Sequence, residues 1–155
     1  MTTTDVIERT LPANIQAEQM LLGALLINSE LLNQVSEFLQ AQHFFEPLHQ
    51  KIYDSIEIIC EKGISATPVT MLSMLSSDPI FNEAGGQEYL HKITTMAMVV
   101  INPVDYGNII YDLALKRNLI SIGEEVVNHA YDSTLEQDAA SQLEAAEMKL
   151  FNLAV

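Results

Sequence analysis

The segment at residues 11–26, Leu-Pro-Ala-Asn-Ile-Gln-Ala-Glu-Gln-Met-Leu-Leu-Gly-Ala-Leu-Leu, constrains this chain more than any other. The Asn14 side chain is suited to accept the orphan backbone N–H groups of a helix start. Glu18 lies where the helix dipole favours a negative charge. Ile15, Leu22 and Leu25 share one face of that helix, and Leu21 and Leu26 widen it. Gly23 sits mid-helix, where it costs about 1 kcal/mol relative to Ala, so another backbone is expected to pass close there. The segment reads as a buried helix.

Helical spacing dominates the rest of the chain, with no convincing strand alternation. After a polar tail (residues 1–10), a first helix is expected from Ile15 to Ile27. A second, capped by Ser29, should run to Leu39. Pro47 opens a third carrying Leu48, Ile52, Tyr53, Ile56 and Ile59, which Gly63 ends. Thr67-Pro68 opens a fourth with Val69, Leu72 and Leu75, stopped by Asp78-Pro79. Gly85-Gly86 turns the chain into a fifth that reaches Met98. These five helices form the expected globular bundle of residues 11–101.

Residues 102–155 are expected to form a helical hairpin. Asn102 caps and Pro103 starts a long helix to Tyr131, and Asp132-Ser133-Thr134 turns into the last one. That helix carries Ala139, Leu143, Ala146, Leu150 and Leu153 at alternating four- and three-residue spacing, a short coiled-coil seam. The preceding helix places Tyr106, Ile109, Leu113 and Ile120 on one face, and Leu119, Ile122 and Val126 on another. A single hairpin partner covers only one of these. Two arrangements follow: the stripe closes onto residues 1–98, or the hairpin projects and self-associates. Leu113, Leu119, Ile122, Leu143, Leu150 and Phe151 are the candidate self-association residues. The predicted class is all-α, a small globular helical bundle followed by a two-helix antiparallel hairpin.

Composition narrows the function. Twenty-one acidic residues against seven basic ones give a net charge of −14, spread along the chain. Such a surface repels phosphate backbones, so direct nucleic-acid binding is disfavoured. The single cysteine, Cys60, excludes an internal disulfide and fits a reducing cytosol. The N-terminus carries no charged-then-apolar leader, and the apolar runs are too short to span a bilayer. A cytoplasmic location without membrane attachment is expected.

Motifs that carry chemistry are nearly absent. No Gly-x-x-x-x-Gly-Lys-Ser/Thr loop occurs to cradle phosphates. Glu-x-x-His occurs twice, as Glu46-Pro-Leu-His49 and Glu88-Tyr-Leu-His91, and paired copies of this motif serve four-helix di-iron proteins. Pro47 puts Glu46 at a helix boundary, away from an interior turn, which argues against a di-iron carboxylate site. His43 and His129 lack ligand-spaced partners. Cys60 follows Ile58-Ile59 and reads as a small core residue. No catalytic, cofactor-binding or metal-ligating residue is assigned.

The order Pro, capping residue, Ala-Glu-Gln, then Leu-Gly-Ala-Leu-Leu resembles the opening of DnaB-type replicative DNA helicases. The resemblance continues through Phe44-Phe45 with Pro47, His49 and Ile52, then Val69-Thr-Met-Leu72, Gly85-Gly86 with Tyr89-Leu90, and Asn102 to Tyr106. Arg117, Ile120 and Leu143 to Leu153 complete it. It covers residues 11–154; Thr67-Pro68 departs from the family's acidic cap and aliphatic residue. The resemblance implies an N-terminal helicase domain without its motor, with ATP and Mg serving only the missing motor domain. Hairpins would pair into dimers and then a hexamer collar that docks the C-terminal domain of primase, with a helicase loader as a further partner. By register, the primase-facing positions fall on Gln16, Tyr89, Ile120 and Val126, with Gln16 replacing a common acidic residue. Hairpin packing is the alternative role for Ile120 and Val126. A stand-alone helical scaffold is the alternative for the whole chain.

Overall fold

A computed structural model describes residues 9–100, 102–134 and 136–155. The first eight residues of the expected polar tail, and Ile101 of the expected connector, lie outside the described residues. The described residues are all-helical, with no strand. In chain order the helices are α1 (Ile15–Ile27), α2 (Leu32–Val35), α3 (Pro47–Glu61), α4 (Leu72–Leu75), α5 (Pro79–Glu83), α6 (Gln87–Ala97), α7 (Pro103–Tyr131) and α8 (Ala139–Ala154). The chain divides by packing into two units, Ala13–Ala114 and residues 9–12 with 115–155.

In the first unit α1 is the central helix. Asn14 Oδ1 accepts from the Ala17 amide at 2.9 Å, satisfying an orphan donor of its first turn. Every residue from Met20 to Leu26 is buried, so the helix is enclosed on all sides. Gly23 explains the closeness: a Cβ there would lie 2.6 Å from the Ile93 carbonyl carbon and 2.7 Å from Ala97 Cβ of α6. The backbone approach expected from the sequence is this α1–α6 contact. Leu21, Leu22, Leu25, Ile52, Tyr53, Ile56, Leu90 and Ile93 fill the core between α1, α3 and α6. Each such side chain contributes about 1.5–3 kcal/mol through loss of apolar surface to water. Tyr53 keeps its hydroxyl satisfied in this core by donating to the Leu39 carbonyl at 2.9 Å.

Two expected helices are shorter than their periodicity implied. The second is a 3-10 turn (Ser29–Leu31) leading into the four-residue α2, and Asn28, rather than Ser29, provides the cap. Thr67 and Thr70 bond reciprocally, Thr70 N donating to Thr67 Oγ1 at 3.1 Å and Thr67 N to Thr70 Oγ1 at 2.8 Å. The regular α-helix nevertheless begins only at Leu72. Asp78-Pro79 stops that helix and also starts another: Asp78 Oδ1 accepts from the Ile80 and Phe81 amides at 2.9 and 3.3 Å, opening α5.

Asn102 caps α7 by accepting from the Val104 amide at 3.1 Å, and Pro103 follows at the first helical position. The first turns belong to the core-bearing unit because Pro103, Gly107, Ile110 and Ala114 form one buried stripe. A Cβ on Gly107 would sit 3.1 Å from Phe38 Cζ and 3.2 Å from Val35 Cγ1, so the helix packs tightly on the α2 region. Beyond Ala114 the stripe ends.

The second unit is the antiparallel pair formed by the distal part of α7 and α8. Asp132 Oδ1 accepts from the Thr134 amide at 3.0 Å, tightening the turn, and Asp138 caps α8 by accepting from Ser141 N at 2.8 Å. Gln142 donates to the His129 carbonyl at 3.1 Å, and Lys149 pairs with Glu125. The rising numbers on α8 meet falling numbers on α7, which is the antiparallel hairpin expected.

Candidate protein-interaction site

Two features stand out, one in each unit. In the first, four polar side chains form a continuous hydrogen-bonded chain through the core. Glu18 and His49 are only 2% and 1% exposed. The Glu18 carboxylate accepts from the backbone amides of Phe45 at 2.7 Å and Glu46 at 3.3 Å, the residues that lead into α3. Its Oε1 also lies 2.8 Å from His49 Nδ1. The other imidazole nitrogen lies 2.6 Å from the Tyr89 hydroxyl, and Gln19 Nε2 donates to that same hydroxyl at 3.1 Å.

Gln19 donates to the phenol oxygen; a phenol proton aimed at His49 Nε2, with the imidazole donating from Nδ1 to Glu18, gives every member of the chain a partner. Burial, opposed by the Gln19 hydrogen bond, pushes the Tyr89 phenol above its usual range, with Glu46 and Glu18 adding to the rise. Tyr89 therefore remains a donor at neutral pH. The chain joins α1, α3 and α6, and satisfying every member avoids the penalty of an unpaired buried charge.

The spacing of the sequence positions Glu18 near the helix dipole, and it does lie in the first turn of α1. Its burial and its tie to α3 went unseen. The signal was available at His49, which shares the apolar stripe of Ile52, Tyr53 and Ile56 at helical spacing. Both ring nitrogens of His49 are occupied by Glu18 and Tyr89, which removes it as a metal ligand. Glu88 and His91, the other Glu-x-x-His pair, are exposed on α6. Among the described residues no cluster of three potential ligands gathers.

The second feature is apolar surface on the hairpin. No described residue from 115 to 155 is buried, and α8 has no buried residue at all. Leu143 is 62% exposed and Phe151 65%, with Leu119, Ile120, Val126, Val127, Met148 and Leu150 also exposed. Two grooves mark this unit. One, of about 750 Å³, is lined by Leu11, Ile120, Gly123 and Val127 with Arg9 and Glu124. The other, of about 380 Å³, runs between α7 and α8 beside Val126, Ala130, Ala139, Leu143 and Ala146.

The candidate residues distribute accordingly. Gln16 is exposed on α1, one turn from the Gln19 that holds the half-buried Tyr89, so these two share a neighbourhood. Ile120 and Val126 front different grooves of the hairpin. Leu119, Leu143, Leu150 and Phe151 are exposed and Ile122 is half-buried, while Leu113 lines a shallow groove with Ala13, Asn14 and Ile109 in the first unit. No helix among the described residues is long and apolar enough to cross a membrane.

A helical unit with its own core is continued by a hairpin in which Leu143 and Phe151 are exposed. The chain belongs to the family of DnaB-like helicase N-terminal domains, whose model matches residues 10–112. It is 65% identical over 149 residues to the replicative DNA helicase DnaB of Rickettsia bellii, an alignment covering 96% of this chain and 30% of that protein. It is 30% identical over 147 residues to the replicative DNA helicase DnaC of Bacillus subtilis, covering 95% of this chain and 32% of that one. The chain thus spans about a third of the length of these relatives. Among solved structures it is similar to the N-terminal domain of DnaB helicase from Mycobacterium tuberculosis, with a TM-score of 0.84 at 29% identity, covering 92% of this chain and 99% of that chain. A DnaB-like replicative helicase described together with its interactions with primase shares the fold, with a TM-score of 0.71 at 21% identity over 90% of this chain and 31% of that one.

Proposed function

We propose that this chain is the oligomerisation and primase-recruiting domain of a replicative DNA helicase, acting in replisome assembly in the bacterial cytoplasm and catalysing no reaction itself. The observation that carries the proposal is the hairpin, in which no described residue from 115 to 155 is buried. A structured segment of that length exposing Leu119, Leu143, Leu150 and Phe151 gains stability by burying them against another copy. About 800 Å² buried on each partner makes an interface of standard size. Two copies pair through the hairpin, and pairs assemble into the hexamer of the longer helicase. ATP and Mg serve the motor portion of such a helicase, and the net charge of −14 keeps this domain away from DNA.

Primase is the second partner, through its C-terminal domain, with Gln16, Tyr89, Ile120 and Val126 as the contact positions. The similarity to a helicase described with its interactions with primase supports this choice. A helicase loader is a third partner, for surfaces these two leave open. Family membership weighs against an unrelated helical scaffold.

Light scattering tests the assembly. The chain should be a dimer or larger at high micromolar concentration, and more so as salt screens its charge. Leu143→Asp combined with Phe151→Asp should return it to monomer. A wild-type chain that stays monomeric at high salt would sink the proposal. For recruitment, Tyr89→Ala with Ile120→Asp should abolish calorimetric binding of the primase C-terminal domain and leave the helical circular dichroism unchanged.

A further inference from the structure

Tyr89 is held against the ordinary habit of its residue type. A tyrosine at a surface normally rests its ring on apolar neighbours and turns its hydroxyl to water. Here the hydroxyl points inward, 2.6 Å from His49 Nε2 and 3.1 Å from Gln19 Nε2, and the two rings meet through that hydrogen bond with centroids 6.0 Å apart and planes at 23°. The side chain remains half-buried, with its hydroxyl engaged by His49 and Gln19. His49 is fixed in turn by Glu18, and Glu18 by two backbone amides at the start of α3. The chain continues one link further and ends on a surface aromatic.

We propose that His49 and Glu18 are positioning residues for partner binding: their buried chain pins the Tyr89 phenol inward and presents its ring as a pre-set apolar plate for an aliphatic or aromatic side chain of the primase C-terminal domain. The inference rests on the reading that this face receives primase. A fixed rotamer spares the partner the ordering cost of a free aromatic, the usual gain from preorganisation. Rigid aromatic anchors of this kind commonly dominate interface energetics. Gln16, exposed one turn from Gln19, borders the plate and supplies a polar rim.

The test uses the full 155-residue chain, titrated with the primase C-terminal domain by calorimetry. Tyr89→Phe keeps the ring and removes the pin. It should weaken binding about five- to tenfold, the worth of one hydrogen bond used for orientation. His49→Gln should weaken binding to a similar extent, and combining it with Tyr89→Phe should add nothing, because both cut the same link. Thermal melts report any separate loss of stability. Gln19→Ala, a milder change at a half-buried residue, gives a second arm should His49→Gln fold poorly.

Additive losses from Tyr89→Phe and His49→Gln would mean that His49 acts through the fold alone, overturning the proposal. So would a loss with Tyr89→Phe and none with His49→Gln, since the phenol would then be touching the partner itself. Wild-type binding by Tyr89→Phe, with binding lost in Tyr89→Ala, would also overturn it while leaving the recruiting face intact. Wild-type binding by Tyr89→Ala would remove this face from recruitment, and the positioning role with it.

Discussion

The unit Ala13–Ala114 and the hairpin of residues 115–155 are both helical, yet they solve the problem of stability in opposite ways. The first closes an apolar core within itself, although Val69, Met98 and Val99 stay exposed: α1 is enclosed, and Phe44, Tyr53, Phe81 and Met71 lose almost all contact with water. The second has good local credentials, with Asp138 capping α8 and Gln142 and Lys149 tying it to α7. It still leaves Leu143 and Phe151 in solvent. Caps and exposed pairs specify a helical hairpin, but solvent screens them, and mutual burial has to come from elsewhere. α7 runs through both regimes. Its buried stripe, Pro103, Gly107, Ile110 and Ala114, stops where the core-bearing unit stops.

This contrast breaks most readily under core truncation. Ile52→Ala should destabilise the fold by about 2–5 kcal/mol in a urea melt, because a filled site becomes a cavity. Phe151→Ala should change the stability of the dilute chain by no more than about 0.5 kcal/mol, and weaken self-association instead. Equal effects on the dilute chain would erase the distinction between the two units.

The glycines sharpen it. Gly23→Ala forces a methyl into the Ile93 backbone and Ala97, and should cost about 1–3 kcal/mol by thermal melt. At Gly123 a Cβ meets nothing within 4 Å among the described residues, so Gly123→Ala should stabilise α7 by about 1 kcal/mol through helix propensity. If Gly123→Ala also abolishes association, the backbone of another copy crosses at that point. Hydrogen exchange offers a gentler probe. Amides of α8 should exchange far faster than those of α1 in dilute solution and slow as concentration rises. Protection of α8 that ignores concentration would mean the hairpin is stable alone.

The smallest effect is expected at Asp78. The hydrogen bond from Lys51 Nζ at 2.6 Å, with help from the Phe81 and Ile80 amides, holds its carboxyl below the usual carboxylate range. The group is ionised in the folded state at a pH where the unfolded chain has begun to protonate. Its contribution is therefore complete above the unfolded value and lost as pH falls through the folded one. Asp78→Asn keeps a capping oxygen and loses the ion pair, so its stability should fall less between about pH 6 and about pH 3 than that of wild type. An identical decline would remove Asp78 from the acid response.

Much of the fold was legible where one residue type does one job. Asn14, Pro47, Gly63, Asn102 and Pro103 punctuate helices through their own backbone preferences, and the observed boundaries follow them. Gly23 betrayed a close crossing because it is costly anywhere else in a helix. The second and fourth helices were over-read, since apolar spacing at Leu32, Val35 and Leu39, or at Leu72 and Leu75, suits 3-10 and turn segments packed on a core as well as longer α-helix. Of the candidate site, the sequence and its family resemblance supplied Tyr89 and Gln16 but not the inward pin, which joins residues 40 and 70 positions apart.

By itself, then, the sequence determined the long helices, the caps at Asn14 and Asn102, the acidic surface and the hairpin, because each of these depends on residues within a few turns of one another. Tertiary structure alone decided that Glu18 is buried, that His49 links it to Tyr89, and that the core stripe of α7 ends at Ala114. A carboxylate tolerates burial only when donors converge on it, and here the Phe45 amide and the His49 ring arrive from a second helix and the turn before it. That convergence is a property of packed helices, which local spacing does not encode.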